Sequence, residues 1–449
     1  LKKILFTLIA IVLVVAAGLS WYVTRKPASP FDAVAAVATP SPDLIAKGKY
    51  IARAADCVAC HSVPGGKPFA GGLKMGTPLG AIYTTNITPD PKTGIGKYTL
   101  ADFDRAVRHG VAANGHRLYP AMPYPSYSKM SDADVRALYA YFTHEVAPAA
   151  VADKPSEIPS PWNIRWPIAL WNLVFAPDTP YQPVKTQDAE WNRGAYLVQG
   201  PGHCGSCHTP RGAAFNEKAM DQGGKLYLSG ALLDGWYAPS LRNDPNTGIG
   251  RWREADIYAF LKNGRNGHGV VFGSMLDAYN NSTQFLTDAD LHAIAHYLKS
   301  LPGDPARDGK PWAYSATAVA DLAPAKRSSV PGAQTFAAKC SFCHQPDGKG
   351  QSPWIPALAG STSSLVPDAA SQINIVLNGS GRVMANGMPD SYRMPPYRAQ
   401  LSDKQVAQVL SFVRSAWGNR GGPVTAKAVA DLRKKTDPAS PQVIVLQMR

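Results

Sequence analysis

All six cysteines of this 449-residue chain fall in three copies of one pentapeptide. The copies are Cys57-Val58-Ala59-Cys60-His61, Cys204-Gly205-Ser206-Cys207-His208 and Cys340-Ser341-Phe342-Cys343-His344. Cys-x-x-Cys-His is the attachment site of a c-type haem: two thiols form thioethers to the porphyrin, and the adjacent imidazole binds iron from one face. Each copy therefore commits its stretch of chain to a core built with a covalent iron porphyrin, because a metal site and its core form together. Zinc binding and redox dithiol chemistry are the competing readings. A structural zinc site uses four ligands, usually two Cys pairs close in sequence; here the pairs lie far apart, each with its own histidine. A thioredoxin-like dithiol needs no histidine at that place and no threefold recurrence.

The length suits about three domains at roughly 100–200 residues each, matching the three motifs. With every thiol assigned to haem, no disulfide framework remains. Export is inferred instead from haem attachment, which in bacteria takes place outside the inner membrane. The formal charge of +14 comes from 46 basic against 32 acidic residues, and two propionates per haem would reduce it. No recognition motif or aromatic-interleaved basic run points to nucleic acid. The excess can face an acidic partner or anionic lipid, or simply be a solvated surface.

From Ile4 to Val23 no side chain is charged; Lys2 and Lys3 precede the stretch, and Trp21 and Tyr22 close it. A run of that length can cross a bilayer as one helix, and the two aromatics suit its interface. Two readings stand: a retained anchor, or a signal peptide cleaved near Val15-Ala16-Ala17. The length of the span favours the anchor. Both place the bulk on the periplasmic side of the inner membrane.

An internal repeat occupies the first two thirds. Asp90-Pro91-Lys92-Thr93-Gly94-Ile95-Gly96 returns as Asp244-Pro245-Asn246-Thr247-Gly248-Ile249-Gly250, which argues for two related domains. The third unit lacks this element. An aromatic-bearing segment precedes each haem motif: Gly48-Lys49-Tyr50, Gly194-Ala195-Tyr196, and Gly332 with Phe336. Amphipathic helices are predicted to close the units, starting at Ser131-Asp132, Thr287-Asp288 and Ser402-Asp403, where capping residues precede apolar periodicity. A Pro/Trp-rich connector with Trp162, Trp166 and Trp171 reads as an inter-domain clamp or a membrane-surface segment, the clamp being the blander choice.

The sixth iron position decides the chemistry, since a filled site exchanges electrons and a vacant one admits substrates. Methionine is the usual partner of this histidine, and its soft thioether favours Fe(II). The candidates are Met122, Met275 and Met394, placed 61, 67 and 50 residues after His61, His208 and His344. Core packing is the commoner fate of a single methionine; three at matching places shift the balance to ligation. Met384 and Met388 compete with Met394, and Met130 lies too near its helix start. Seven further histidines remain, with His203 the best reserve ligand. Each proximal imidazole should give its free N–H to a backbone carbonyl. Arg211 could meet a propionate or be exposed.

These motifs, in this order, resemble the triheme cytochrome c subunit of membrane-bound dehydrogenases of acetic acid bacteria, the alcohol dehydrogenase version above all. The resemblance runs from about Leu44 to Asn419. It rests on Gly-Lys-Tyr before Cys57, Thr85 to Pro91, Tyr119 to Tyr124, Gly200-Pro201-Gly202-His203, Thr209-Pro210-Arg211-Gly212, Leu241 to Pro245 and Ser415-Ala416-Trp417-Gly418-Asn419. It implies a mainly α fold of three tandem cytochrome c domains behind an N-terminal transmembrane helix, with the first and last helices of each domain crossing at a glycine–aromatic contact. The expected division is 1–28 for the anchor or signal segment, 42–150, 187–303 and 328–420 for the domains, 155–186 for the connector, 304–327 for a linker and 421–449 for a tail. Pro356 resembles the carbonyl donor to the third histidine. The resemblance further implies three covalent haems c on Cys57, Cys60, Cys204, Cys207, Cys340 and Cys343, with iron held by His61/Met122, His208/Met275 and His344/Met394. A separate subunit would oxidise the substrate, a quinoprotein for alcohols or a molybdopterin protein for aldehydes, with a flavin protein for sugars or gluconate as the alternative. This chain would pass electrons to ubiquinone in the respiratory chain. No nucleophile, acid–base pair or nucleotide loop appears, so substrate oxidation by this chain alone is not expected. A peroxidase-like haem enzyme with one open iron is the rival.

Overall fold

The computed structural model describes residues 2–34, 39–233, 235–385 and 387–437; residues 438–449 of the expected tail lie outside these. Helices carry the fold, with three short two-stranded hairpins beside them among the described residues. Packing divides the chain into two units. The first comprises Leu1–Ile51, His61–Leu73 and Thr77–Gln182; the second comprises Ala52–Cys60, Lys74–Gly76 and Pro183–Arg449.

In the first unit the apolar run forms one helix, Lys2–Thr24, with no buried residue. Helix Pro42–Ala54 crosses the predicted closing helix, Asp132–His144, whose N-cap Ser131 accepts from the Asp134 backbone N–H. The crossing works because Gly48 has no side chain: a methyl there would overlap the Ala137 carbonyl and the Tyr141 Cβ. Lys47 and Asp134 close the contact at 2.7 Å.

The second unit repeats this plan. Helix Ala189–Gln199 brings Gly194 against the Ala293 carbonyl and Tyr297 of helix Asp288–Ser300. Arg193 grips Asp290 with two hydrogen bonds of 2.7 Å, where the first unit has its Lys47–Asp134 pair. Thr287 caps the closing helix as its sequence predicts. The third crossing sets Gly332 (φ 87°) on the Gln408 carbonyl of helix Asp403–Ser415, capped by Ser402. Beneath it, Phe336, Leu377, Val406, Leu410 and Trp417 form a buried core.

Two segments differ from their expected roles. Residues 304–327 are more than a tether, because Ala318 and Leu322 bury in the core of the third segment. Past Gly421 the chain forms helix Ala426–Lys435, whose Val429 is fully buried against that same core. Apolar residues scattered through polar sequence gave neither segment a visible period.

The repeated Asp-Pro-x-Thr-Gly elements fold alike. Gly94 and Gly248 each donate to the carbonyl of the leading aspartate at 3.1 Å, and Gly96 and Gly250 donate to the same carbonyls at 3.2 and 3.1 Å. Each turn leads into a helix, Leu100–His109 or Glu254–Asn263, that stops at a left-handed glycine, Gly110 or Gly264. A tyrosine ring, Tyr124 or Tyr279, packs on that glycine.

Candidate functional site

Each attachment motif forms a single helical turn: Cys57–Cys60, Gly205–His208 and Ser341–His344. One turn sets the two thiols of a motif on adjacent corners and aims the following imidazole alongside them, as a covalent porphyrin requires. Five of the six cysteines are half-buried and Cys343 is exposed. Burial pushes the leading thiols, Cys57, Cys204 and Cys340, up to about 12.

The three histidines are fixed in the same manner. Nδ1 of His61 lies 2.7 Å from the Thr85 carbonyl, Nδ1 of His208 lies 2.7 Å from the Pro239 carbonyl, and Nδ1 of His344 lies 3.1 Å from the Pro356 carbonyl. A carbonyl can only accept, so Nδ1 carries the proton and Nε2 keeps its lone pair for a metal. Burial lowers the basicity of all three rings, which favours the neutral imidazole that binds iron. The thiol pairs and the imidazoles together fit a c-type haem at each motif.

Pro356 takes the role its sequence context suggests, but Thr85 and Pro239 were missed. The signal was present: each lies five residues before the aspartate of the repeated turn, Asp90 or Asp244. In the third segment the carbonyl loop is held by Asn419, whose side chain accepts from the Gly360 N–H at 2.8 Å and donates to the Leu358 carbonyl at 3.0 Å. Trp417 Nε1 donates to the Pro346 carbonyl, two residues past His344, at 3.0 Å.

The methionines sit in three settings. Met122 is half-buried in the loop before the short helix Tyr124–Tyr127. Met275 is the second residue of helix Ser274–Asn281 and packs beside Leu276, Tyr279 and Val271. Met394 packs against the core of the third segment, and its backbone N–H donates to Ser380 Oγ at 2.9 Å. Met130 is fully buried. Met384 and Met388 lie on a two-residue hairpin, with Met388 exposed. His203 hydrogen-bonds to the backbone of Ala55. Arg211 is half-buried and donates to the Ser206 carbonyl inside the second motif at 2.6 Å.

Within the second unit, helix Ser274–Asn281 and the residue after it bond to the segment before the first motif and to the loop after the third. Arg53 donates to the Asn281 carbonyl at 3.3 Å and lays its guanidinium over the Phe285 ring at 4.2 Å. Ser282 Oγ donates to the Ala54 carbonyl at 3.4 Å. On its other side, the Asn280 side chain accepts from the Met384 N–H at 2.8 Å and donates to the Arg382 carbonyl at 3.2 Å. Arg265 pairs with Asp390, both buried, under the Trp354 ring.

The cytochrome c family model matches residues 45–144, 192–302 and 329–417, one segment around each motif. The chain belongs to the cytochrome c family. This cytochrome is 50% identical over 408 residues to the cytochrome c subunit of alcohol dehydrogenase (quinone) from Gluconacetobacter polyoxogenes, covering 90% of this chain and 87% of that one. It is also 50% identical over 398 residues to the gluconate 2-dehydrogenase cytochrome c subunit of Pantoea cypripedii, covering 87% and 90%. The fructose dehydrogenase cytochrome subunit of Gluconobacter japonicus is 38% identical over 415 residues, covering 87% and 82%.

Proposed function

We propose that this cytochrome is the triheme electron-transfer subunit of a membrane-bound dehydrogenase complex. It would take electrons from a separate catalytic subunit and deliver them to ubiquinone at the periplasmic face of the inner membrane. The observation that carries the reading is the threefold recurrence of one arrangement, a Cys-x-x-Cys turn followed by a histidine whose Nδ1 is tied to a carbonyl. Bound haem supplies reversible one-electron exchange between Fe(II) and Fe(III). The chain's own residues set its surroundings. Cys57 and Cys60, Cys204 and Cys207, and Cys340 and Cys343 would tether it. His61, His208 and His344 would hold one face of the iron, and Met122, Met275 and Met394 the other.

Helix Ser274–Asn281 supports a relay, because its hydrogen bonds reach both the segment that carries Cys57 and the loop before Met394. Helix Lys2–Thr24 supports membrane attachment: it is long and apolar enough to cross a bilayer. The relatives serve alcohol, gluconate and fructose dehydrogenases, so the partner is a dehydrogenase of alcohols or of sugars and sugar acids.

Co-purification in detergent tests this. A large partner should accompany the chain, and the pair should reduce a short-chain ubiquinone with the partner's substrate. A chain that purifies alone, and whose haems no dehydrogenase from the same membranes reduces, would overturn the reading.

A further inference from the structure

Helix Pro167–Phe175, in the Pro/Trp-rich connector, packs against helix Lys2–Thr24 within the first unit. Its apolar surface is uncovered: Leu173 is 65% and Val174 68% exposed. Ahead of it, Trp162, Ile164 and Trp166 are also exposed, at 58%, 47% and 51%. Five large apolar side chains on one short stretch exceed the scattered singles normal on a soluble surface.

Cations lie beside this stretch. Arg25 and Lys26, just past the long helix, are exposed, and Arg25 stands over the rings of Trp21 and Tyr22 at 4.8 and 4.9 Å. Arg165 lies over the Tyr119 ring at 3.4 Å and donates to the Arg117 carbonyl. Of the nearby acids, Asp178 is paired with His109 at 2.8 Å and Asp102 lies 3.7 Å from Lys26. The end of the long helix is also tied to the body of the unit. Arg117 donates to the carbonyls of Val23 and Arg25, both at 3.2 Å, and Lys26 donates to the Ala113 carbonyl at 2.6 Å. The connector helix therefore stays at the level where the long helix would leave a bilayer.

We propose that residues 162–175 lie in the periplasmic interface of the membrane. Leu173, Val174, Trp162 and Trp166 enter the acyl boundary, while Arg25, Lys26 and Arg165 meet anionic lipid headgroups. Exposed tryptophan beside arginine is the composition that settles at this depth. The inference rests on Lys2–Thr24 being a transmembrane anchor.

The test uses the full haem-loaded chain in nanodiscs containing phosphatidylglycerol, with one added cysteine at a time: Leu13→Cys, Val174→Cys or Lys427→Cys. A water-soluble maleimide reports access to water, since the thiolate reacts and forms poorly in an apolar setting. Leu13→Cys should be unreactive and Val174→Cys at least about tenfold slower than Lys427→Cys. If Val174→Cys reacts as fast as Lys427→Cys while Leu13→Cys stays blocked, the anchor stands and the interfacial helix is refuted. Rapid reaction at all three positions would refute both. Protection of Val174→Cys only after adding the dehydrogenase partner would assign the surface to that protein and refute lipid contact.

Discussion

His61 places Nδ1 2.7 Å from the carbonyl oxygen of Thr85, and this contact fixes which ring nitrogen can reach an iron. With Nδ1 bearing the proton, the ring cannot turn over without losing a hydrogen bond, and Nε2 is left as the only donor to a metal. The same relation joins His208 to Pro239 and His344 to Pro356. Because the acceptors are main-chain atoms, side-chain substitution at Thr85 should leave the haem intact, whereas substitution of the histidine should not.

The haem count should fall by one for each motif removed. The Cys340→Ala/Cys343→Ala variant is expected to retain two covalent haems per chain by the pyridine haemochrome assay. Loss of all haem would mean that the third segment is required for the others to fold.

Replacing Met122, Met275 or Met394 by alanine should each abolish about one third of the weak far-red thioether–iron(III) absorbance and let one haem bind carbon monoxide. Met384→Ala should do neither. If the absorbance instead follows Met384, the third iron pair is His344/Met384.

Gly194→Ala forces a methyl onto the Ala293 carbonyl. It should lower stability by about 1–3 kcal/mol, the usual range for overpacking, seen as an earlier urea midpoint for the haem-loaded chain. Gly267 faces open space, so Gly267→Ala should leave that midpoint in place.

Arg265 and Asp390 form a buried pair joining the second and third cytochrome segments. Arg265→Met strands the carboxylate and should cost about 3–5 kcal/mol. The Arg265→Met/Asp390→Leu double variant should regain most of this. Hydrogen exchange across residues 380–390 reads the difference locally.

Asp256 gives a pH signature. Hydrogen bonding from the Arg253 guanidinium holds its carboxyl at about 2, below the roughly 3.9 of an unfolded aspartate. The folded chain therefore binds its proton later, and the stabilisation is complete above about pH 4 and is lost as pH falls toward 2. Thermal unfolding of Asp256→Asn and of the native chain should differ at pH 5 and converge near pH 2.

The closing helices were legible because capping residues and apolar periodicity agree at Ser131, Thr287 and Ser402. The histidines were legible because the motif is contiguous. What stayed hidden was contact between residues far apart in the chain. The Pro239 carbonyl bonds to a histidine 31 residues earlier, and a carbonyl carries no residue signature. The burial of Ala318, Leu322 and Val429 was hidden for a related reason, since each depends on a surface made elsewhere in the chain.

Asn280 grips the loop carrying Arg382 and Met384 with both ends of its amide, five residues beyond Met275 on the same helix. Asn280 thus joins the Arg265–Asp390 pair in splicing the second and third cytochrome segments near a proposed iron ligand. A chimera taking its final segment from a relative would have to import this helix as well, so the pair should be inherited and engineered as one block.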